Sequence, residues 1–315
     1  MDVAVQHDGQ LDAFRIDVLQ GLARPQKTLP SRWLYDPRGC DLFEQITALP
    51  EYYPARTETL ILQEHAADIS QFCGAHAHLL EYGAGAGIKT EIVVGELDRP
   101  RSYIPIDIAP GFLELTAERF RQRFTNLSVN PVVADFTSEF SLPSTLVADG
   151  RRVAFFPGST VGNLNAKDAG LLLQRMRRQV GPQGAALIGV DLKKDLSILL
   201  PAYDDSAGVT ADFNRNILVR INRELDGHFS PAQFRHVARW NDTECAVEMH
   251  LESPIDQVIA VAGKGFSFRR GETIHTESSR KYEIRAFSEF ARHHGWHTQR
   301  LWTDARRQFA IFGLV

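Results

Sequence analysis

The apolar positions of this 315-residue chain change period twice, and the changes divide it. Between Leu79 and Asp191, short apolar runs at 79–80, 103–106, 132–134, 153–156 and 186–190 alternate with longer segments of helical spacing. In one such segment Leu171, Leu172, Met176 and Val180 mark a buried helix face, which Gly181-Pro182 stops. Strand and helix in alternation predict an α/β fold, a parallel sheet with helices on both faces that binds ligands at its strands' carboxyl ends. After Asp191 the pattern breaks. A turn region, Ala202 to Gly208, leads to a helix on which Phe213, Ile217, Ile221 and Leu225 recur every four residues. Val247, Met249 and Leu251 then alternate with Glu248, His250 and Glu252, and 258–261 and 266–269 flank the hairpin signature Ala262-Gly263-Lys264-Gly265. A further strand at 274–281 carries Glu277 and Ser279 on one face. Helix 283–294 and the runs 299–302 and 308–314 return to the first pattern, as a terminal antiparallel pair.

The N-terminal stretch predicts a helix at 11–22, a turn cluster at 33–39 and a short helix at 41–47. Residues 49–58 are expected to be extended, because Pro50 and Pro54 keep the residues before them out of the α region. Thr57 is expected to open a helix running to about residue 72. Domain bounds follow: 59–194 and 283–315 form the parallel-sheet core, and 1–58 with 195–282 form a second, inserted α+β domain.

The run Leu79-Leu80-Glu81 leads into Tyr82-Gly83-Ala84-Gly85-Ala86-Gly87 and then a helical pattern. Alternate glycines let the backbone take positive φ and approach a ligand with no Cβ in the way. A dinucleotide fingerprint from Gly83 would need glycine where Ile88 stands, and a phosphate loop would need glycine before Lys89-Thr90. The remaining form, E-x-G-x-G-x-G, is the first motif of S-adenosylmethionine (AdoMet) methyltransferases, although alone it could be only a tight strand–helix turn. Two later strand ends favour a nucleoside site. Asp107, 20 residues after Gly87, can accept both ribose hydroxyls, and Asp135-Phe136 offers a carboxylate and a ring to an adenine.

A net charge of −4 gives no electrostatic reason to expect nucleic acid or an anionic membrane as partner. No run approaches the ~18 apolar residues of a membrane span, and the start lacks the basic and apolar regions of a signal peptide, so a cytoplasmic protein is expected. Cys40, Cys73 and Cys245 are odd in number and far apart. His76, His78 and the group His293, His294 and His297 have no Cys or carboxylate at ligand spacing and read as solvated, so no metal is expected. Arg119, Arg121, Arg123, Arg175, Arg177 and Arg178 read as solvated helix faces.

Five stretches together resemble the EgtD family, the AdoMet-dependent histidine Nα-methyltransferases of ergothioneine biosynthesis. They are Tyr35-Asp36-Pro37-Arg38-Gly39, the run Leu49 to Glu58, the run Gly158 to Leu164, Ala202-Tyr203-Asp204-Asp205 and Thr276-Glu277-Ser278-Ser279. The resemblance covers essentially the whole chain and implies a Rossmann-like class I methyltransferase sheet plus an inserted α+β substrate-binding domain. By position it implies that AdoMet is held by Gly83, Lys89, Asp107, Asp135 and Phe136. It implies that L-histidine is bound by Tyr52, by Asn163 and Tyr203 at the α-carboxylate and amine, and by Glu277 and Ser279 at the imidazole. Tyr35 would lie beside the amine and Met249 would line the pocket. Ala84 and Ala86 depart from the more polar turn expected in the family.

The implied reaction carries histidine to its trimethyl betaine, hercynine, in a monomer. Transfer needs a neutral amine lone pair held in line rather than a strong base, and Tyr35 could order a water that removes the proton. Methylation of another aromatic α-amine, such as a tryptophan derivative, is the alternative within the class. A nicotinamide dehydrogenase is disfavoured by Ile88, and a nucleoside sensor by the second polar set of Tyr35, Tyr52, Asn163, Tyr203 and Glu277.

Overall fold

The computed structural model describes residues 3–143 and 150–315. The chain forms two compact units, one holding Pro54–Lys194 and Ser279–Val315, the other running up to Tyr53 and from Asp195 to Ser278. Two boundaries therefore fall earlier than the expected 58 and 282. The first moves because residues 53–58 are helical, not extended: helix Tyr53–Glu64 has Pro54 in its first turn, where a missing N–H leaves no intrahelical bond unmade. The expected helix from Thr57 to residue 72 is in fact two, since Ala66–Cys73 follows as a separate helix. The last boundary moves because Tyr282 bonds through its backbone to Asp191 and Lys193, tying its segment to the core.

In the core unit the sheet runs, strand by strand, Thr298–Thr303, Phe309–Leu314, Ala185–Asp191, Arg152–Phe156, His78–Tyr82, Ser102–Asp107 and Ser128–Val129, with Val132–Val133 also on Ser102–Asp107. Neighbours are parallel from Ala185–Asp191 onward, and Phe309–Leu314 is antiparallel to both of its partners. Alternate residues serve opposite layers. Leu79, Tyr103, Val153 and Leu187 pack with Ile61, Phe72, Val93 and Phe120, whereas Leu80, Ile104, Ala154 and Ile188 pack with Leu172, Met176 and Phe287. Covering both faces explains why the central strands are apolar runs rather than alternating ones. In helix Ala166–Val180 the inward face uses Leu173 and leaves Leu171 exposed, a correction to the expected face. His78, expected to be solvated, is buried with Nδ1 2.7 Å from Ser102 Oγ. The chain order reverses at His78–Tyr82, whose two neighbours come before and after a crossover, so the glycine turn sits at the switch point.

The other unit has a four-stranded sheet in the order Lys27–Thr28, Thr273–Arg280, Ala246–Glu252 and Arg235–Asn241, of which the last two residues of Thr273–Arg280 count with the core unit. Phe213, Ile217, Leu218 and Ile221 of helix Val209–Leu225 share its apolar core with Val247, Met249 and Leu251. The hairpin Gln257–Val261 to Lys264–Phe268 turns on Ala262 and Gly263, both at positive φ, the twist that two-residue hairpins favour. The N-terminal helix spans Val3–Leu22, longer than expected. The helix expected at 41–47 starts at Pro37, because Asp36 caps it: Gly39 N donates to Asp36 Oδ1 over 2.8 Å. Gly39 itself is required, since a Cβ there would lie 1.8 Å from the Leu34 carbonyl oxygen. Asn216 Nδ2 and Arg223 Nη2 also donate to Asp36, over 2.6 and 2.8 Å. No helix among the described residues is long and apolar enough to cross a membrane. Asp36→Ala removes a cap and two tertiary bonds, and should destabilise the chain by about 2–4 kcal/mol in urea unfolding. A loss below about 0.5 kcal/mol would show that the cap and its partners are independently satisfied.

Candidate functional site

The turn after His78–Tyr82 places Gly83, Gly85 and Gly87 at φ of 76°, 47° and 64°, and Ile88 opens helix Ile88–Glu96. Neighbouring side chains hold its carbonyls. Thr116 Oγ1 donates to Gly85 O over 2.9 Å, and Arg119 donates to Ala86 O, so this arginine is not simply solvated as expected. Asp107 lies beside the turn, accepting from Ala109 N at 3.0 Å and Gly85 N at 3.4 Å. Burial raises its pKa above the ordinary carboxylate value, against those backbone bonds. A Cβ on Gly83 would lie 3.5 Å from Phe136 Cε1. The main chain of Phe136 is held by buried Arg175, whose Nη1 donates to its carbonyl over 2.8 Å. That corrects the solvated reading of Arg175: in its helix it lies on the inward side. Asp135 Oδ1 accepts from both N and Oγ1 of Thr137, at 2.9 and 2.5 Å. Turn, Asp107 and Phe136 thus come together. The set fits an adenosyl ligand: a glycine-rich backbone turn, a half-buried acceptor at the next strand end and a ring against the turn.

Two buried carboxylates brace this site. Glu81, the acid of the motif, accepts from Thr90 Oγ1 at 2.5 Å and from the Tyr103 hydroxyl. Burial pushes its pKa up to about 8, against those two hydrogen bonds. Glu58 is wholly buried, pairs with Lys89 and accepts from Gly158 N at 2.8 Å. Lys89 is therefore anchored by Glu58. Residue spacing could not reveal the pair, because its members are 31 positions apart.

In the other unit an aromatic cluster carries the tyrosines. Ring centroids are 5.5 Å apart for Tyr35–Phe43, 5.4 Å for Tyr35–Phe213, 6.1 Å for Phe43–Tyr52 and 6.2 Å for Tyr52–Tyr203. Burial first, then the Glu277 carboxylate, then Tyr52, Cys40 and Tyr203, hold the Tyr35 hydroxyl well above its usual pKa of 10.0. Tyr35, Tyr52, Tyr203 and Glu277 thus share one environment, and Met249 lies in the same core. Tyr203 is fixed through its carbonyl, 2.8 Å from His236 Nε2, while His236 Nδ1 is 2.9 Å from Asn214 Nδ2, so Nε2 carries the proton.

Asn163 and Ser279 belong to the core unit. Asn163 ends the 3-10 turn Thr160–Asn163, which follows Ser159 at φ 56°. A Cβ on Gly162 would lie 2.7 Å from the Arg280 carbonyl, so this loop packs on the backbone that carries Ser279. Burial along strand Thr273–Arg280 shifts phase between Thr276 and Glu277, and Glu277 and Ser279 share the later phase. Sequence reasoning also missed Glu248, His250 and His275, whose potential ligand atoms lie within 4.8 Å of one another. His250 Nε2 is 3.0 Å from Glu248 Oε2, and Arg239 Nη2 is 3.3 Å from His250 Nδ1. This is a hydrogen-bonded group with a guanidinium beside it.

The sheet order with its reversed strand, and a glycine turn at the switch point beside the Asp107 carboxylate, define a class I AdoMet-dependent methyltransferase core. The chain belongs to the histidine-specific, SAM-dependent methyltransferase family, whose model matches residues 14–315. It is 38% identical to the histidine N-alpha-methyltransferase of Mycobacterium tuberculosis, over 95% of this chain and 94% of that one. Identity to the histidine N-alpha-methyltransferase of Mycolicibacterium smegmatis is 37%, over 96% and 95%. Ergothioneine biosynthesis protein 1 of Neurospora crassa is 28% identical over 81% of this chain and 30% of its own length.

The Glu81 shift sets a pH dependence. A carboxyl with a folded pKa near 8 binds a proton that the unfolded chain has released above about pH 4.5. Its contribution to stability is therefore lost as pH rises from about 5 toward 8, by up to about 1.4 kcal/mol per pH unit. Glu81→Gln should flatten that fall in urea unfolding, gaining on the wild type as pH rises. A gap that does not widen between pH about 6 and about 8 would show that Glu81 is ionised throughout.

Proposed function

We propose that this chain is an AdoMet-dependent histidine Nα-methyltransferase that carries L-histidine to hercynine, as ergothioneine biosynthesis requires. One observation supports the substrate above the rest. Glu277, a buried carboxylate, shares the environment of Tyr35, Tyr52 and Tyr203 in a chain of the histidine-specific family. A carboxylate accepts an imidazole N–H and a hydroxyl can serve the other ring nitrogen, so Glu277 and Ser279 are read as the ring's partners. By the family resemblance, Asn163, Tyr52 and Tyr203 are read as holding the amino-acid end and Met249 as lining the pocket.

Gly83, Lys89, Asp107, Asp135 and Phe136 are read as the AdoMet set. When bound, AdoMet supplies an electrophilic methyl on a sulfonium, whose charge also favours the neutral amine. The residues' task is to present that amine in line, and orientation alone can lower a barrier by up to ~7–11 kcal/mol. Tyr35 cannot act as a phenolate near neutral pH, because its hydroxyl is held well above 10.0. It acts as a neutral hydrogen-bonding group that orients the amine or a water taking its proton. This chemistry calls for no metal, nucleic acid or membrane, and we read the chain as a cytoplasmic monomer.

Incubation with AdoMet and histidine should yield mono-, di- and trimethylhistidine by mass spectrometry, the last dominant; a product that stops at one methyl would overturn the trimethyl reading. Glu277→Ala should raise the KM for histidine by an amount worth about 1.5–3 kcal/mol and narrow the preference for histidine over tryptophan. Wild-type KM and selectivity in that variant would remove Glu277 from the ring.

A further inference from the structure

The mechanism above leaves a buried charge cluster in the core unit unused. Asp191, at the carboxyl end of strand Ala185–Asp191, has Lys281 Nζ 2.7 Å from Oδ2 and Lys194 Nζ 2.6 Å from Oδ1. The side chains of Lys281 and Asp191 are 0% and 1% exposed. Lys281 Nζ also donates to Ser279 Oγ over 2.8 Å. The Asp191 main-chain N donates to Ser159 Oγ over 2.9 Å, which ties the cluster to the loop carrying Asn163. Burial alone would raise the Asp191 pKa, but Lys281 and Lys194 outweigh it and hold the carboxyl below its ordinary value.

We propose that Lys281, locked in place by Asp191, is a positioning residue that turns Ser279 into a donor toward the substrate ring, so that histidine is bound with its imidazole neutral. The inference rests on the reading that Ser279 meets the imidazole. An ammonium has three donors and no acceptor, so Ser279 Oγ accepts from Lys281 and must send its own proton elsewhere. Glu277, two residues earlier, is an acceptor only, and no donor, when ionised. Glu277 alone would favour an imidazolium, with two N–H groups. With Lys281 behind Ser279 the pair presents one acceptor and one donor, which a neutral imidazole matches with one N–H and one lone pair. A second N–H at Ser279 would also bring a cation toward a buried ammonium, which like-charge repulsion disfavours. Other charged or titratable groups around Lys281 are Lys194 and, toward it, Asp304, with Arg280 and Tyr282 on its own segment. Burial lowers Lys194 to about 8.

The test is calorimetric titration of histidine into the full chain saturated with S-adenosylhomocysteine, at pH about 7.2 and about 5.5, either side of the ring's reference value of about 6.5. Wild-type affinity should fall about tenfold at the lower pH, because only about a tenth of the ligand is then neutral. Lys281→Met, which leaves Asp191 paired with Lys194, should bind several-fold more weakly at the higher pH and lose most of the pH ratio. Its S-adenosylhomocysteine affinity should stay near the wild type, and Lys281→Arg should restore the ratio. If Lys281→Met loses S-adenosylhomocysteine affinity, Lys281→Gln carries the same test. A wild-type ratio in the uncharged variants, with Ser279→Ala weakening histidine, overturns the proposal alone. Unchanged histidine affinity in Ser279→Ala overturns the reading of Ser279 on which it rests.

Discussion

The core unit depends on one constraint: at the end of strand His78–Tyr82 the main chain must turn at once into helix Ile88–Glu96, at the point where the sheet order reverses. Three glycines take positive φ there within five residues, a backbone conformation that residues with a Cβ rarely adopt. A turn with so little side chain would be floppy if left alone. It is fixed from outside, through Thr116 and Arg119 on its carbonyls and Asp107 on Gly85 N. Beneath it, Glu81 is bound by Thr90 and Tyr103. The rest of the sheet follows, because the turn must stand where the strand order reverses and helices can cover both faces.

Three buried carboxylates among the described residues are each held by several partners. Asp36 holds a helix start, Asn216 and Arg223; Glu58 holds Lys89 and Gly158; Asp191 holds two lysines. Such groups are poor sources of net stability, since desolvation offsets most of the attraction, but removing one partner strands the other. Each ties together segments far apart in sequence and fixes one geometry where main-chain groups or hydroxyls must point in set directions. For Asp191 the sign is that of a depressed carboxyl: its contribution is present above the unfolded pKa and lost as pH falls through the folded one.

The sheet was legible because its strands are uniform apolar runs between helical periods, and the glycine turn because its spacing is itself the signal. The helix at Tyr53–Glu64 was not, since Pro54 reads as a breaker unless the first turn is known to begin there. Arg175 reads as a surface residue on composition, yet its guanidinium is drawn inward by the Phe136 carbonyl. The braces Glu58–Lys89 and Asp191–Lys281 join residues 31 and 90 positions apart, a separation that no periodicity marks. The tyrosines, Glu277 and Ser279 carried no local signal of their own. They entered through the resemblance to the family, and in the structure Glu277, Tyr52 and Tyr203 lie in the surroundings of Tyr35.

In this account the core unit supplies a general methyl-donor site, and the strand bearing Glu277 and Ser279 chooses the acceptor. That choice is tested most directly by competition. The chain is given limiting methyl-labelled AdoMet and an equimolar mixture of histidine, tryptophan and phenylalanine, and the labelled products are separated. The account predicts label in histidine alone to within a discrimination of ~10⁴, because an apolar ring would leave both polar groups buried and unpaired. Comparable label in tryptophan or phenylalanine would contradict it.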